Sequence, residues 1–152
     1  MKLLLQLFSL FLFATTAVAQ QGNPIKETPL RRFCGKLALV KYKTTKGVRT
    51  SYTTDEKPLK AVTLHLYEKR DDTSCCQGLA TVEDVVTDRK GNFKFKNTQP
   101  GTYWIAATVR EIEYKLPVNF KPVKDADAAC GTDVFALDGS GGFNFWEVIT
   151  VD

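Results

Sequence analysis

The chain has 152 residues, 43% of them apolar and 25% charged, ordinary values for a folded globular protein that argue against disorder, collagen-like repeats and coiled coil. Lys and Arg outnumber Asp and Glu by 21 to 17, and there is one His. That balance removes most metal, catalytic-triad and nucleic-acid readings at the outset.

Lys2 gives a positive start, Leu3 to Phe13 an apolar stretch broken only by Gln6 and Ser9, and Ala17-Val18-Ala19 a small-residue cleavage site. Residues 1–19 therefore read as a signal peptide, and a secreted or periplasmic location is expected. The apolar stretch is well short of the roughly 20 residues a membrane-crossing helix needs, so no membrane span is expected. The first cysteine is Cys34, too far along for a lipid-anchored N-terminus, and neither Asn97 nor Asn119 has the hydroxyl residue that Asn-linked glycosylation requires.

Gln20 to Arg32 carries Gly22, Pro24 and Pro29 without a periodic apolar pattern and reads as a flexible lead-in. One folded domain is then expected over residues 33–152. Phe33 to Tyr42 alternates apolar and polar residues as a first strand; Lys43 to Lys60 is a long Thr- and Lys-rich connection with a minor strand around Val48 to Thr53. In Ala61 to Glu68, Val62, Leu64 and Leu66 alternate with Thr63, His65 and Tyr67. Asp71 to Gly78 is a loop holding two cysteines, and Thr81 to Thr87 is a strand. Asp88 to Asn92 is a hairpin turn, after which Phe93 and Phe95 point inward. Thr102 to Val109 and Glu113 to Phe120 follow as strands, then a loop from Lys121 to Leu137, a flexible turn at Asp138 to Gly142, and a last strand from Phe143 to Val151. Seven short strands without a helix predict an all-β fold, a seven-stranded antiparallel two-sheet β-sandwich of Greek-key type.

Four cysteines in an exported chain, Cys34, Cys75, Cys76 and Cys130, are expected to form disulfides. A bond between neighbouring residues would distort the intervening peptide, so that pairing ranks last, and Cys34 and Cys130 are each expected to take one of Cys75 and Cys76. Their spacing, with one distant His, does not make a zinc site.

Three segments carry more than periodicity: Pro58 to Tyr67, Thr87-Asp88-Arg89-Lys90-Gly91-Asn92-Phe93-Lys94-Phe95, and Pro100-Gly101-Thr102-Tyr103. In order and spacing they resemble the carboxypeptidase regulatory-like family, whose domains look like transthyretin. The resemblance covers about Pro58 to Val109 and implies a small, usually non-enzymatic β-sandwich, appended or secreted as a structural or binding module, without a cofactor. The Lys43 to Lys57 connection and both cysteine-bearing loops depart from it.

His65, the sole imidazole, has outward parity with no acidic neighbour in sequence to orient it, so it reads as a sheet-face residue. Transthyretin-like hydrolases need several His and a Tyr-Arg-Gly-Ser ending, which this chain lacks. Asp71-Asp72, Glu83-Asp84 and the Asp125, Asp127 pair do not follow a calcium-loop pattern. A Lys-Asn isopeptide bond of the pilus and adhesin kind would use Lys36 or Lys41 with Asn144, but Ala106 and Ala107 stand where the assisting Glu is needed. Dispersed lysines fit edge protection better than nucleic-acid binding. Trp104 and Trp146, both with outward parity, are the candidate binding surface for a protein or polysaccharide partner. The expectation is an exported non-enzymatic module with a structural or protein-interaction role, the alternative being a carbohydrate-binding or adhesion module that uses the two Trp.

Overall fold

Alternation at period two puts one apolar row on each strand, and two sheets bury those rows against each other. The computed structural model describes residues 25–45, 48–70, 74–122 and 133–146, with 42–45 and 48–55 as backbone only. Over these residues it contains ten strands: β1 (Thr28–Leu30), β2 (Cys34–Thr45), β3 (Val48–Pro58), β4 (Thr63–Glu68), β5 (Thr81–Val86), β6 (Asn92–Lys94), β7 (Gly101–Val109), β8 (Ile112–Phe120), β9 (Val134–Leu137) and β10 (Phe143–Trp146). One sheet has the order β1-β8-β7-β4-β5; the other runs β10-β9-β2-β3, with β6 pairing β2 beyond the end of β3. No helix occurs among the described residues, and the fold is the expected all-β sandwich.

The core lies between the inward rows. Leu64 and Leu66 of β4, Ile105 and Ala107 of β7, and Leu116 and Val118 of β8 face Leu37 of β2, Phe135 and Leu137 of β9 and Phe143 of β10. Phe33 is a hub: its ring packs edge-on against Phe95, Tyr103 and Phe120 with centroids 5.5, 5.6 and 4.4 Å away. Burial raises the pKa of the Tyr103 and Tyr114 phenols, with Glu68 and Asp138 respectively adding to it, so both stay neutral.

The strand count and pairing differ from the expected seven antiparallel strands. Part of the expected flexible lead-in is β1, which pairs in parallel with β8 and puts Leu30, 1% exposed, into the core. Glu27 fastens it, accepting Lys69 Nζ at 2.7 Å. Three residues are too few to show a period. The expected loop from Lys121 to Leu137 ends in β9, which runs between β10 and β2 and is parallel to β2. Val134-Phe135-Ala136-Leu137 does not alternate because this central strand is covered on both faces. The sheets are therefore mixed rather than purely antiparallel. The minor strand expected at Val48 to Thr53 is the longer β3, whereas the strand expected through Phe95 is only Asn92–Lys94. Residues 1–24, Cys130 and the end of the expected last strand lie outside the described residues.

The Thr-Asp-x-x-Gly segment locks the two sheets together. Thr87 Oγ1 donates to the Leu59 carbonyl at 2.6 Å and accepts Val62 N–H at 2.9 Å. Asp88 accepts the N–H groups of Lys90 and Asn92 at 2.8 and 2.9 Å. Gly91, at φ +82, lies where a Cβ would come within 2.6 Å of the Leu37 carbonyl oxygen, so only glycine fits. Asp138 to Gly142 repeats this turn: Asp138 accepts the N–H groups of Ser140 and Gly142 at 2.8 and 2.9 Å, and its own N–H donates to the Gly142 carbonyl. What reads as a flexible glycine run is a closed turn.

Candidate functional site

The residues with binding or chemical potential fall on the outer face of the β1-β8-β7-β4-β5 sheet. Strand register aligns them in rows. His65 of β4 lies directly between Asp84 of β5 and Ala106 of β7; Tyr67, one step along, lies opposite Trp104.

The loop from Ser74 to Ala80 covers part of this face. It lays Cys75 on Trp104 and Ala106, with Tyr67 and Cys76 at the margin, as a small apolar cluster separate from the main core. Trp104 is therefore 6% exposed, and its indole Nε1 has no hydrogen-bond partner. Lys115 of β8 reaches over the loop, its Nζ 3.4 Å from the Cys75 carbonyl oxygen and 2.9 Å from Glu113 Oε2.

This arrangement corrects two expectations. Cys75 and Cys76 are bonded to each other rather than divided between Cys34 and Cys130. The pairing ranked last from sequence is the one the structure records. Cys34 is also disulfide-bonded, and it is buried at the start of β2. Nor do Trp104 and Trp146 share an exposed patch. Trp104 is capped on one sheet's outer face, while Trp146 is half-buried on the other sheet's outer face against Ala38, Val40 and Ala136.

His65 does have an acidic partner. Its Nδ1 is 2.8 Å from Asp84 Oδ1, an orientation supplied across the strand pair rather than along the sequence. Among the described residues no hydroxyl or thiol is hydrogen-bonded to this imidazole. Among the described residues there is no group of three or more His, Cys, Asp or Glu placed to hold a metal ion. Asp71, Asp72, Asp125 and Asp127 lie outside the described residues. Lys36 gives its ammonium to Glu56 at 3.1 Å and Lys41 is exposed, while Asn144 lines up with Ala136 and Ala38 on the outer face.

β5 is one of the two edge strands of this sheet among the described residues. Its outward residues Val82 and Val86 are 45% and 61% exposed. Glu83 turns the other way, and its carboxylate accepts the backbone N–H groups of Lys96 and Asn97 at 3.0 Å. Between β5 and β6 runs an open groove of about 610 Å3 whose walls include Val86, Asp88, Asn92, Lys94 and Lys96.

Across the region that carries these features, residues 46–128 match the prealbumin-like fold domain named SpaA. The chain belongs to the SpaA prealbumin-like fold domain family. This bears out the transthyretin- or prealbumin-like expectation at the level of the fold. Among solved structures, the prealbumin-like chain is similar to a crystal structure of (S)-allantoin synthase at 13% identity and a TM-score of 0.35, covering 76% of this chain. The alignment spans 44% of the synthase chain. A search of curated proteins finds no match.

Proposed function

We propose that this prealbumin-like chain is an exported, non-enzymatic module that holds a protein partner along the β5 side of its sandwich. The exposed Val82 and Val86 on an edge strand, beside a groove flanked by Lys94 and Lys96, carry this reading. The signal-peptide pattern over residues 1–19 supports export. The segments from Pro58 to Tyr103, which resemble secreted or appended carboxypeptidase regulatory-like modules, support a binding role. The commitment of His65 to Asp84, without a nucleophile bonded to it, supports a non-enzymatic one.

The test is made on the native secreted form. Its N-terminus is expected at Gln20, and the protein that co-purifies with it is expected to be lost from a V82K/V86K variant that folds normally. Retention of the same partner by that variant overturns the assignment of the β5 face, and a hydrolase activity abolished by His65→Ala overturns the non-enzymatic reading.

A further inference from the structure

The two edges of the β1-β8-β7-β4-β5 sheet are built differently. β1 has three residues with Pro29 in the middle, a short strand whose centre has no N–H to offer, and such strands keep a sheet edge from pairing with another chain. β5 has six residues, Thr81–Val86, with neither Pro nor Lys among them, and Val82, Val85 and Val86 favour the extended backbone. Among the described residues it has a ladder partner, β4, on one side only. Register says which of its backbone groups face the open side. Thr87 N–H donates to the Val62 carbonyl at 2.9 Å, and successive residues of a strand turn their polar groups to opposite sides. Glu83 and Val85 therefore turn theirs toward β4, and Asp84 and Val86 turn theirs toward the open side. Glu83 pairs with Leu66 and Thr81 with Tyr67, so Val82 is the extra residue of a bulge and the regular open edge runs from Glu83 to Val86.

The charges along this edge are one-sided. Asp84 is bonded to His65, Glu83 to the N–H groups of Lys96 and Asn97, and Asp88 to those of Lys90 and Asn92, so each of these carboxylates is occupied within the chain. Lys94 and Lys96, both exposed, line the groove beside the strand, and Arg89 and Lys90 lie exposed in the turn that follows it. A strand laid along β5 would turn one face toward these ammonium groups and the other toward the level of the exposed valines.

We propose that β5 takes an added strand: an extended segment of a partner protein, alternating apolar and acidic side chains, pairs with the backbone of Asp84 and Val86. Its apolar side chains lie beside Val82 and Val86, and its acidic ones face Lys94 and Lys96 across the groove. This deepens the reading of β5 as a partner-binding edge and rests on it. Main-chain hydrogen bonds hold the segment, and the alternation of its side chains selects it. A segment with lysines in place of the acids sets like charges against Lys94 and Lys96 and is rejected. Salt weakens the hold on the acidic segment, because these ammonium groups lie at the surface.

The experiment titrates the whole chain with a short capped peptide that alternates valine and glutamate, with a valine–lysine counterpart, and with a fully N-methylated valine–glutamate version. The valine–glutamate peptide is expected to bind and to slow hydrogen exchange at the Asp84 and Val86 amides. The lysine counterpart is expected to bind about tenfold more weakly or less, and the N-methylated peptide not to bind. K94Q/K96Q is expected to weaken the valine–glutamate peptide about fivefold, the sum of two ordinary exposed ion pairs. Val86→Pro removes an N–H that faces the open side and is expected to abolish binding. Absence of binding by the valine–glutamate peptide, equal binding of the two charge types, full binding of the N-methylated peptide or protection confined to amides away from β5 overturns strand addition, and these readings stand whether or not Val86→Pro folds. A native partner lost from V82K/V86K, with no such peptide pattern, leaves β5 as the docking edge and overturns the added acidic strand. A native partner retained by V82K/V86K overturns the reading of β5 itself.

Discussion

Thr87 and Leu59 are joined by a 2.6 Å hydrogen bond that runs from the end of β5 to the connection between β3 and β4, which belong to different sheets. The same hydroxyl accepts Val62 N–H, so one buried side chain satisfies two backbone groups of this connection. Thr87→Val keeps the shape and removes both bonds. It is expected to destabilise the protein by about 2–4 kcal/mol, since two backbone groups lose their partners. Thr87→Ser is expected to retain most of the stability, and urea unfolding of the two variants checks the difference.

Gly91 and Gly139 have nearly the same backbone, at φ +82 and +83, but different surroundings. A Cβ on Gly91 meets the Leu37 carbonyl oxygen at 2.6 Å, whereas one on Gly139 meets only Leu39 Cδ1 at 3.8 Å. Gly139→Ala is expected to cost about 1 kcal/mol for the left-handed conformation alone. Gly91→Ala adds a backbone clash and is expected to cost several times as much, which thermal unfolding of the pair measures.

Asp88 is fully exposed, yet its carboxyl lies below the ordinary carboxylate range, foremost because of the Asn92 backbone N–H and also through the Asn92 side chain and Lys90. A folded-state value below the unfolded one adds stability that is fully present above the unfolded value of about 3.9 and is lost as pH falls through the lower folded value. The stability gap between the native protein and Asp88→Asn is therefore expected to be widest near neutrality and to close in acid. Melting temperatures of the two between pH 2 and pH 6 test the sign; a gap that widens in acid contradicts it.

Phe135 stands at the centre of an aromatic group, with ring centroids 4.9 Å from Phe93, 4.8 Å from Phe145 and 6.4 Å from Phe143. It also closes the space above Gly35, whose missing Cβ would come within 2.8 Å of its ring. Phe135→Ala is expected to cost about 3–5 kcal/mol, a core value that a surface-loop residue would not give. Denaturant midpoints at constant slope provide the check.

These four sites show where the sequence is legible. Strands that are wet on one face, such as Thr63–Glu68 with its Leu64 and Leu66, declare themselves by alternation. The Thr87 to Phe95 motif declares itself by residue types that each have one steric or hydrogen-bonding use. The rest depends on distance in space. Phe135 lies in a strand buried on both faces, which loses its period; Leu30 lies in one too short to have a period. The outward parity of Trp104 is correctly read, yet parity says nothing of a loop folding back over a sheet face. Asp84 is nineteen residues from His65 and becomes its partner only through register.

The parallel pairing of β9 with β2 also sets an order of events. Leu37 and Phe135 are register partners, so the middle of one sheet joins the first long strand to a segment that a ribosome delivers almost a hundred residues later. Until then β2 has only β3 and the short β6 beside it, and its other edge is open. Closure over so long a contour is slow, since the entropy of bringing the ends together is lost before any contact repays it. A nascent chain of this topology waits for its own C-terminal region, and truncation before Val134 is expected to leave not a smaller sandwich but an unfinished one with an exposed strand to shelter.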